Sequence, residues 1–525
     1  MRAALVFPPQ ASPTYVPLGL ASVTAYLRRE VPAAALALLD ANLGAWELLC
    51  ELEPGGEETR AFFRGQAGDF LDESQYGAAQ AHLARLGARM ARLGEAARRF
   101  VETGEASDDL DRWLRRTVPA VLASDPELVG LSAIYPEQLP FAWALARALR
   151  AEAPRIRIVL GGASAEALRA DELLIALPAL DGVLLGEGEP GIARLVAGAP
   201  DAAVPGLLHR TGTGGLRRNP GAPCALDDLP APDFGDLPLD RYWNPVPVLP
   251  VIGSRGCAWR RCRFCAHNKS FSRYRSVQAG TLAATLEDLQ RRHGVHHVYL
   301  ADQYVSSARL DALASALRDR GLDLTYHAMI RPDPGCTPER LARIAASGGR
   351  WLSWGVESGS YRLLDLVRKG TTIERVERAL RAARETGISS LAMMIFGLPG
   401  STDADLEATF AFLDRAWSDL DSLTASGFVL FADTPFGREP ERFGLEVTGV
   451  EEVLRIGDRA VRSHRLSFLE RSSDGSLRPG RAGVELAAWE RRRRWMADKP
   501  ILDRLPVEHY LVWLDRVRSR SLVTP

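Results

Sequence analysis

Cysteine is scarce in this chain, six in 525 residues, and Cys50, Cys224 and Cys336 stand far apart from one another and from the rest. That excludes the disulfide framework of a small secreted protein. Net charge is nearly absent, with 65 Lys plus Arg against 66 Asp plus Glu. No strong field of either sign therefore points to nucleic acid or an anionic membrane as a partner. No run of eighteen apolar residues occurs, and the start, MRAALVFPPQ, has no long apolar stretch after Arg2. Neither a spanning helix nor a secretory leader is expected, and the cytoplasm is the expected location. Internal repeats and low-complexity tracts are missing as well.

What is present is rhythm. Residues 1–200 alternate short apolar runs with amphipathic stretches: AALVF (3–7), a helix around Leu20, Val23 and Leu27, LALLD (36–40), LVGLSA (128–133), RIVLGG (157–162) and DGVLLGEGE (181–189). Alternation of this kind predicts an α/β domain with a parallel sheet covered by helices. A stretch from about 52 to 125, with Leu83, Leu86, Met90 and Leu93 at helical spacing, interrupts it as a helical insertion. The segment 201–247 contains GTGG, a hairpin-turn signal, and the Pro/Asp-rich LDDLPAPDFGDLP. It reads as a linker.

A second alternation begins at 248, with strand candidates VLPVIGS, HHVYLAD, LTYHAMI, RWLSWGVE, SSLAMMIFG and SLTASGFVLF. Six βα units in series, over 248–440, predict a full or partial (β/α)6 barrel whose functional residues sit at the carboxyl ends of its strands. The remainder, 441–525, reads as helical. Its WERRRRWM (489–496) is expected to be a solvated helix face.

The other three cysteines, Cys257, Cys262 and Cys265, follow the first of these strands as C-x4-C-x2-C. Three thiolates on one loop can hold three corners of a cubane iron-sulfur cluster and leave the fourth iron open. Structural zinc is the alternative, with His267 as a fourth ligand.

RGC leading into the trio and CRFC closing it resemble the radical S-adenosylmethionine (SAM) superfamily. The resemblance implies that Cys257, Cys262 and Cys265 bind a four-iron four-sulfur (4Fe-4S) cluster whose open iron takes SAM, with Phe264 beside the adenine. The spacing departs from the common C-x3-C-x2-C by one residue between the first two cysteines. Later segments extend the resemblance: Asp302 and Gln303 in YLADQY, Glu357 and Ser358 in WGVESGS followed by the Lys-Gly step of VRKGTT, and Leu398 and Pro399 in IFGLPGS. These would meet the methionine amino group, the ribose and the adenosine of SAM. Taken singly, each would be an ordinary strand-end turn.

The first domain resembles the cobalamin-binding domain of cobalamin-dependent members, a Rossmann-like sheet placed before the barrel. On that resemblance Pro8, Pro9, Ser132, Tyr135, Gln138, Gly161, Gly162, Gly186, Glu187 and Gly188 would contact cobalamin from the loops after successive strands, the edge where open parallel sheets bind ligands. An ordinary nucleotide-binding fold is the alternative. The D-x-H-x-x-G motif of many corrinoid proteins is missing, and His82 is the only histidine before residue 200. An unligated or water-bound lower cobalt face is expected, or one faced by the loop of Tyr135 and Gln138.

Together these resemblances imply a cobalamin-dependent radical SAM methyltransferase acting on an unactivated carbon of a natural product. The 5'-deoxyadenosyl radical would abstract hydrogen and methylcobalamin would donate the methyl group. A flavodoxin or ferredoxin would supply electrons. CRFCAHNKSFSRYRS resembles methylases of ribosomal peptides, so the substrate is a small molecule or a peptide. Tyr304, His327 and Arg331, near barrel strand ends, are the candidates to touch it. Cyclisation or ring rearrangement is the alternative within the same chemistry. Methylthiolation is disfavoured, since only Cys50 lies in the first domain. A cobalamin-binding sensor with a structural metal is the rival from another class, and no DNA-reading motif supports it.

Overall fold

Apolar runs too short for helices and flanked by amphipathic segments become strands buried on both faces. Ala3 to Phe7, at the head of the chain, is almost wholly inaccessible. The computed structural model describes residues 1–266, 273–472, 474–493 and 505–523. The chain divides into two units, Met1–Pro247 with Glu452–Ser463, and Val248–Glu451 with His464–Pro525.

In the first unit five parallel strands, β1 (Arg2–Phe7), β2 (Ala35–Asp40), β3 (Leu128–Ser132), β4 (Arg157–Gly161) and β5 (Gly182–Leu184), stand in the order β2-β1-β3-β4-β5. The order reverses between β1 and β3, and a doubly wound sheet opens its ligand crevice at such a reversal. Helices α1 (Leu18–Glu30) and α2 (Ala41–Leu52) follow β1 and β2. The expected insertion is three helices, α3 (Gly56–Phe63), α4 (Glu73–Thr103) and α5 (Asp108–Leu122). Of these, α4 and α5 cover α6 (Leu139–Glu152), which is buried along most of its length; its Phe141 meets Trp113 of α5 edge to face at 5.4 Å. A helix apolar on all sides needs cover on all sides. Helices α7 (Ala170–Ala176) and α8 (Gly188–Val196) complete the domain.

The expected linker is part of this unit. Strands β6 (Leu207–Arg210) and β7 (Leu216–Arg218) add an antiparallel hairpin to β5, turning where GTGG was read as a turn. Beyond it the Pro/Asp-rich segment runs extended but anchored: Tyr242 donates to Asp40 at 2.7 Å, and the fully buried Trp243 packs on Trp46 and Phe63. Proline and aspartate signal an extended chain, and two buried aromatics are enough to tie such a chain down.

The second unit holds six parallel strands side by side in chain order: Val248–Val251, His297–Val305, Thr325–Ile330, Gly349–Glu357, Ser389–Phe396 and Ser422–Gly427. This is the partial barrel the sequence predicts. The helix Val507–Val523 packs against its inner strands near their amino ends: Tyr510 bonds Ser389 and lies edge-on to Trp351 at 4.5 Å, while Asp515 meets His297 and Thr325.

The tail corrects the expectation of a helical region from 441. Leu445–Ile456 and Arg459–Arg471 form a long hairpin, to which Leu477–Pro479 pairs, before the helices Ala482–Arg492 and Val507–Val523. The sequence LEVTGVEEVLRI is rich in β-branched residues, and Gly457, at φ 60°, takes the turn. Its density of Arg and Glu masked that signal. Of the arginine run, Arg492 pairs with Glu407 and Asp414; residues 494–496 lie outside the described residues.

Candidate functional site

Alternation along the barrel strands decides which residues face inward. Gln303, Met329, Arg331, Gly355, Glu357, Met393, Ile395, Thr424 and Ser426 line a cavity of about 350 Å³, together with Cys257, Trp259, Cys262, Phe264 and Cys265 of the loop after the first strand. All three cysteines thus face one space. No three His, Cys, Asp or Glu side chains among the described residues converge closely enough for a single metal ion. Three thiols that share a cavity without converging suit a cubane, which spreads its ligands more widely than one zinc does. His267, the fourth zinc ligand considered, lies outside the described residues.

The loop is fastened to the segment after Glu357. Arg263 donates twice to it: its backbone N–H to the Val367 carbonyl at 3.0 Å and its guanidinium to that of Leu366 at 2.6 Å. Trp259 donates through Nε1 to the Arg368 carbonyl at 2.8 Å. Burial pushes the Cys262 thiol up to about 12, and Lys369 is the leading charge that opposes this. A metal that takes the thiolate removes that penalty.

Lys369 is the residue that the sequence showed only as part of a Lys-Gly step. Its ammonium pairs with Glu357, both side chains at least nine-tenths buried. Burial alone would lower the Lys369 pKa; Glu357 and Cys262 outweigh it and hold it above the ordinary value. Glu357 ends its strand at φ 72°, which few non-glycine residues adopt. A Cβ at Gly355 would stand 2.6 Å from Nζ of Lys369, so glycine there makes room for the pair.

Several candidates fall elsewhere. Asp302 points away from the cavity and accepts from the Gly253 N–H at 2.8 Å and from the Ser254 hydroxyl, so it buttresses the cysteine loop. Ser358 bonds Thr409 of the helix Asp403–Ala416. Leu398 is buried in a cluster with Phe428, Phe436 and Leu445, and neither it nor Pro399 lines the cavity. His327 faces inward two residues below Met329, out of reach of the cavity: it is 3% exposed, bonds Ser353 at 2.7 Å and packs on Trp351. Burial lowers its pKa to about 3. It is a neutral core histidine, and only Tyr304 and Arg331 of that trio reach the cavity. Period-two spacing does not separate the two sets, since His327 shares its face with Met329 and Arg331 and is excluded only by its depth along the strand.

In the first unit Ser132, Gly161, Gly162 and Gly188 line an apolar pocket of about 70 Å³ with Leu5, Leu20, Val23, Leu184 and Ile192, at the strand-order reversal. Gly162, at φ 93°, is required: a Cβ would stand 2.2 Å from the Ala133 carbonyl oxygen. Gln138 serves the scaffold; its amide donates to the Pro8 carbonyl and accepts from the N–H groups of Ile134 and Tyr135. Pro9 is buried beside it. Glu187 accepts from the Cys224 N–H at 2.8 Å, and the Gly186 N–H donates to Glu166. Tyr135 is 40% exposed, edge-on to Tyr15. His82 is buried in the insertion on Thr59, away from this edge.

A cysteine-bearing barrel together with a doubly wound sheet defines a two-domain class, and comparison with known proteins agrees. Residues 251–413 match the radical SAM superfamily and residues 100–196 the B12 binding domain. The chain thus carries a radical SAM domain and a B12-binding domain. Its cofactors are those of that pair of domains, a 4Fe-4S cluster, SAM and cobalamin. It is 28% identical over 302 residues to an uncharacterized methyltransferase, PH0819, of Pyrococcus horikoshii, covering 55% of this chain and 64% of that one. It is also 28% identical over 308 residues to the anaerobic magnesium-protoporphyrin IX monomethyl ester cyclase of Rubrivivax gelatinosus, covering 56% and 55%. The chain thus matches less than two thirds of the length of these relatives. The cobalamin-dependent SAM radical enzyme OxsB, solved with aqua-cobalamin and SAM bound, shares the fold at TM-score 0.65 and 17% identity, covering 94% of this chain and 66% of that one. Among the described residues no helix is long and apolar enough to cross a membrane.

Proposed function

We propose that this protein is a methyltransferase that places a methyl group on an unactivated carbon of a small-molecule or peptide natural product. The observation that carries the reading is the single barrel cavity in which three cysteines meet the Glu357–Lys369 pair, in a chain that also has a B12-binding domain. When bound, the cluster with SAM supplies a 5'-deoxyadenosyl radical, and cobalamin supplies the methyl group.

The chain's own groups hold and orient. Cys257, Cys262 and Cys265 would bind three irons, Phe264 and the methionines would wall the adenosine, and Glu357, fixed by Lys369, offers a carboxylate to ribose hydroxyls. Ser132, Gly161, Gly162 and Gly188 would admit the nucleotide tail of cobalamin, since a pocket without side-chain charge suits an apolar heterocycle. No general acid or base is needed at the cavity, and His327, neutral and buried, offers none.

A cyclase at the same identity as a methyltransferase keeps cyclisation as the second reading. One assay separates them. Anaerobically reconstituted protein is turned over with SAM and reductant on candidate substrates. Methyl transfer forms S-adenosylhomocysteine along with 5'-deoxyadenosine and a product one methyl group heavier; 5'-deoxyadenosine with an altered substrate of unchanged carbon count would replace this proposal by the second reading.

A further inference from the structure

Three charged side chains line the barrel cavity among the described residues, Arg331, Glu357 and Lys369. Glu357 and Lys369 neutralise each other. Among the described residues Arg331 has no carboxylate partner, yet its position is closely specified. Its Nη1 donates to the carbonyls of Lys369 and Gly370, at 3.0 and 3.3 Å. Its guanidinium lies 4.0 Å from the centre of the Trp259 ring and 5.8 Å from that of Tyr304. Its Nε is buried and has no hydrogen-bond partner. A guanidinium fixed on one edge keeps its Nε edge for another ligand, and that edge matches the two oxygens of a carboxylate or phosphate.

The one-residue excess in the C-x4-C loop explains how the stack is held. Trp259 lies within the lengthened loop, which turns at Arg260 with φ 48°. Its ring is anchored to the Arg368 carbonyl and lies on Gly370, where a Cβ would stand 2.1 Å from it. Trp259 therefore positions Arg331. Lys369 is the leading charged neighbour of Cys262.

We infer that Arg331 anchors the substrate by an oxyanion, a carboxylate or phosphate that the substrate carries and SAM does not supply. This rests on the proposed function for its cavity and narrows the substrate to an anionic class. The buried Nε between these aromatic rings has no partner among the described residues, and an oxyanion there would supply one.

The test uses holoenzyme reconstituted anaerobically with iron, sulfide and cobalamin, as wild type, Arg331→Met and Arg331→Lys. Equilibrium dialysis measures binding of inorganic phosphate and of acetate at saturating SAM, with iron content and SAM affinity read on the same preparations. The wild type should bind at least one anion, the Met variant about tenfold or more weakly, and the Lys variant between them, because an ammonium keeps the charge and loses the fork. Iron content and SAM affinity should stay within about twofold. Trp259→Ala should weaken anion binding and Trp259→Phe restore most of it, which a merely structural role for the loop would not produce. Equal anion binding by wild type and Arg331→Met, or none by either, overturns the inference. So does a loss of SAM affinity of about tenfold in Arg331→Met, which would give the guanidinium to the carboxylate of SAM. Anion binding that depends on Arg331 in a wild type lacking iron and SAM affinity would sustain the anion site and remove the radical SAM reading.

Discussion

The first unit offers a ligand little but backbone and aliphatic carbon; the barrel mouth offers sulfur and charge. The pocket at the strand-order reversal is lined by glycines, leucines, valines and one serine, Ser132. The barrel cavity is lined by three thiols, two cations, a carboxylate and two aromatic rings beside Phe264. A site of the first kind selects by shape and is spoiled by added volume. One of the second kind selects by donor chemistry and is spoiled by removing a donor. Substitutions should therefore fail in opposite ways in the two units.

The largest effect is expected at the cysteines. Replacing Cys257, Cys262 or Cys265 by Ala removes one corner ligand of a three-ligand site. Reconstituted variants should hold little iron and cleave SAM at least about a thousandfold more slowly, while cobalamin binding by the first unit stays near wild type. Cobalamin loss equal to iron loss would break the contrast between the units.

Next is the buried pair. Glu357→Gln leaves the Lys369 ammonium buried without its counter-charge, which costs about 3–5 kcal/mol. Lys369→Met should cost a similar amount by stranding Glu357. The double exchange should cost clearly less than the two together, since it strands neither charge. Denaturant melts of the four proteins measure the coupling.

Chemistry of the second kind was legible in the sequence. The trio, Gln303, Tyr304, Arg331 and Glu357 were all readable as residue types at strand ends, and all face the cavity. What misled was the reach of each motif. Asp302 sits beside Gln303 yet turns to Gly253 and Ser254, in a stretch whose register is irregular, so that Gln303 and Tyr304 both face the cavity. Ser358 and Leu398 belong to motifs that resemble the family's, but their side chains serve packing. Lys369 was visible only as a step in a motif, since nothing local says that a lysine twelve residues after a glutamate will reach it. In the first unit Ser132 and the glycines at 161, 162 and 188 were readable. Gln138 offered no sign of joining the loops after β1 and β3, a contact made across 130 residues. The hairpin after 444 was hidden by its charge.

Adding volume tests the first unit. Gly162→Ala would combine a φ of 93° with a Cβ 2.2 Å from the Ala133 carbonyl oxygen, so the loops after β3 and β4 must separate, at about 1–3 kcal/mol. Cobalamin binding should fall by about tenfold or more, and iron content should not change. Titration of the variant with cobalamin, beside an iron assay on the same sample, gives both numbers.

The smallest expected effect divides the units by pH. Burial raises the Asp40 carboxyl to about 6, against the opposing hydrogen bonds of Tyr242 and Leu43. Between its ordinary value, near 4, and about 6 the native chain holds a proton that the unfolded chain has released, so acidification across that window stabilises the first unit. His327 behaves in the opposite sense: lowered to about 3 by burial, it stays neutral in the barrel while the unfolded imidazole takes a proton below about 6.5. Acidification therefore weakens the second unit. Native-state hydrogen exchange, corrected for intrinsic rates, on peptides covering residues 35–52 and 325–357 should show protection shifting by about 1–2 kcal/mol in each, in opposite directions, between pH 6.5 and 5. Asp40→Asn should flatten the first response and His327→Gln the second. If both peptides lose protection in parallel and neither exchange alters the slope, the two buried groups are not what sets the units apart in acid.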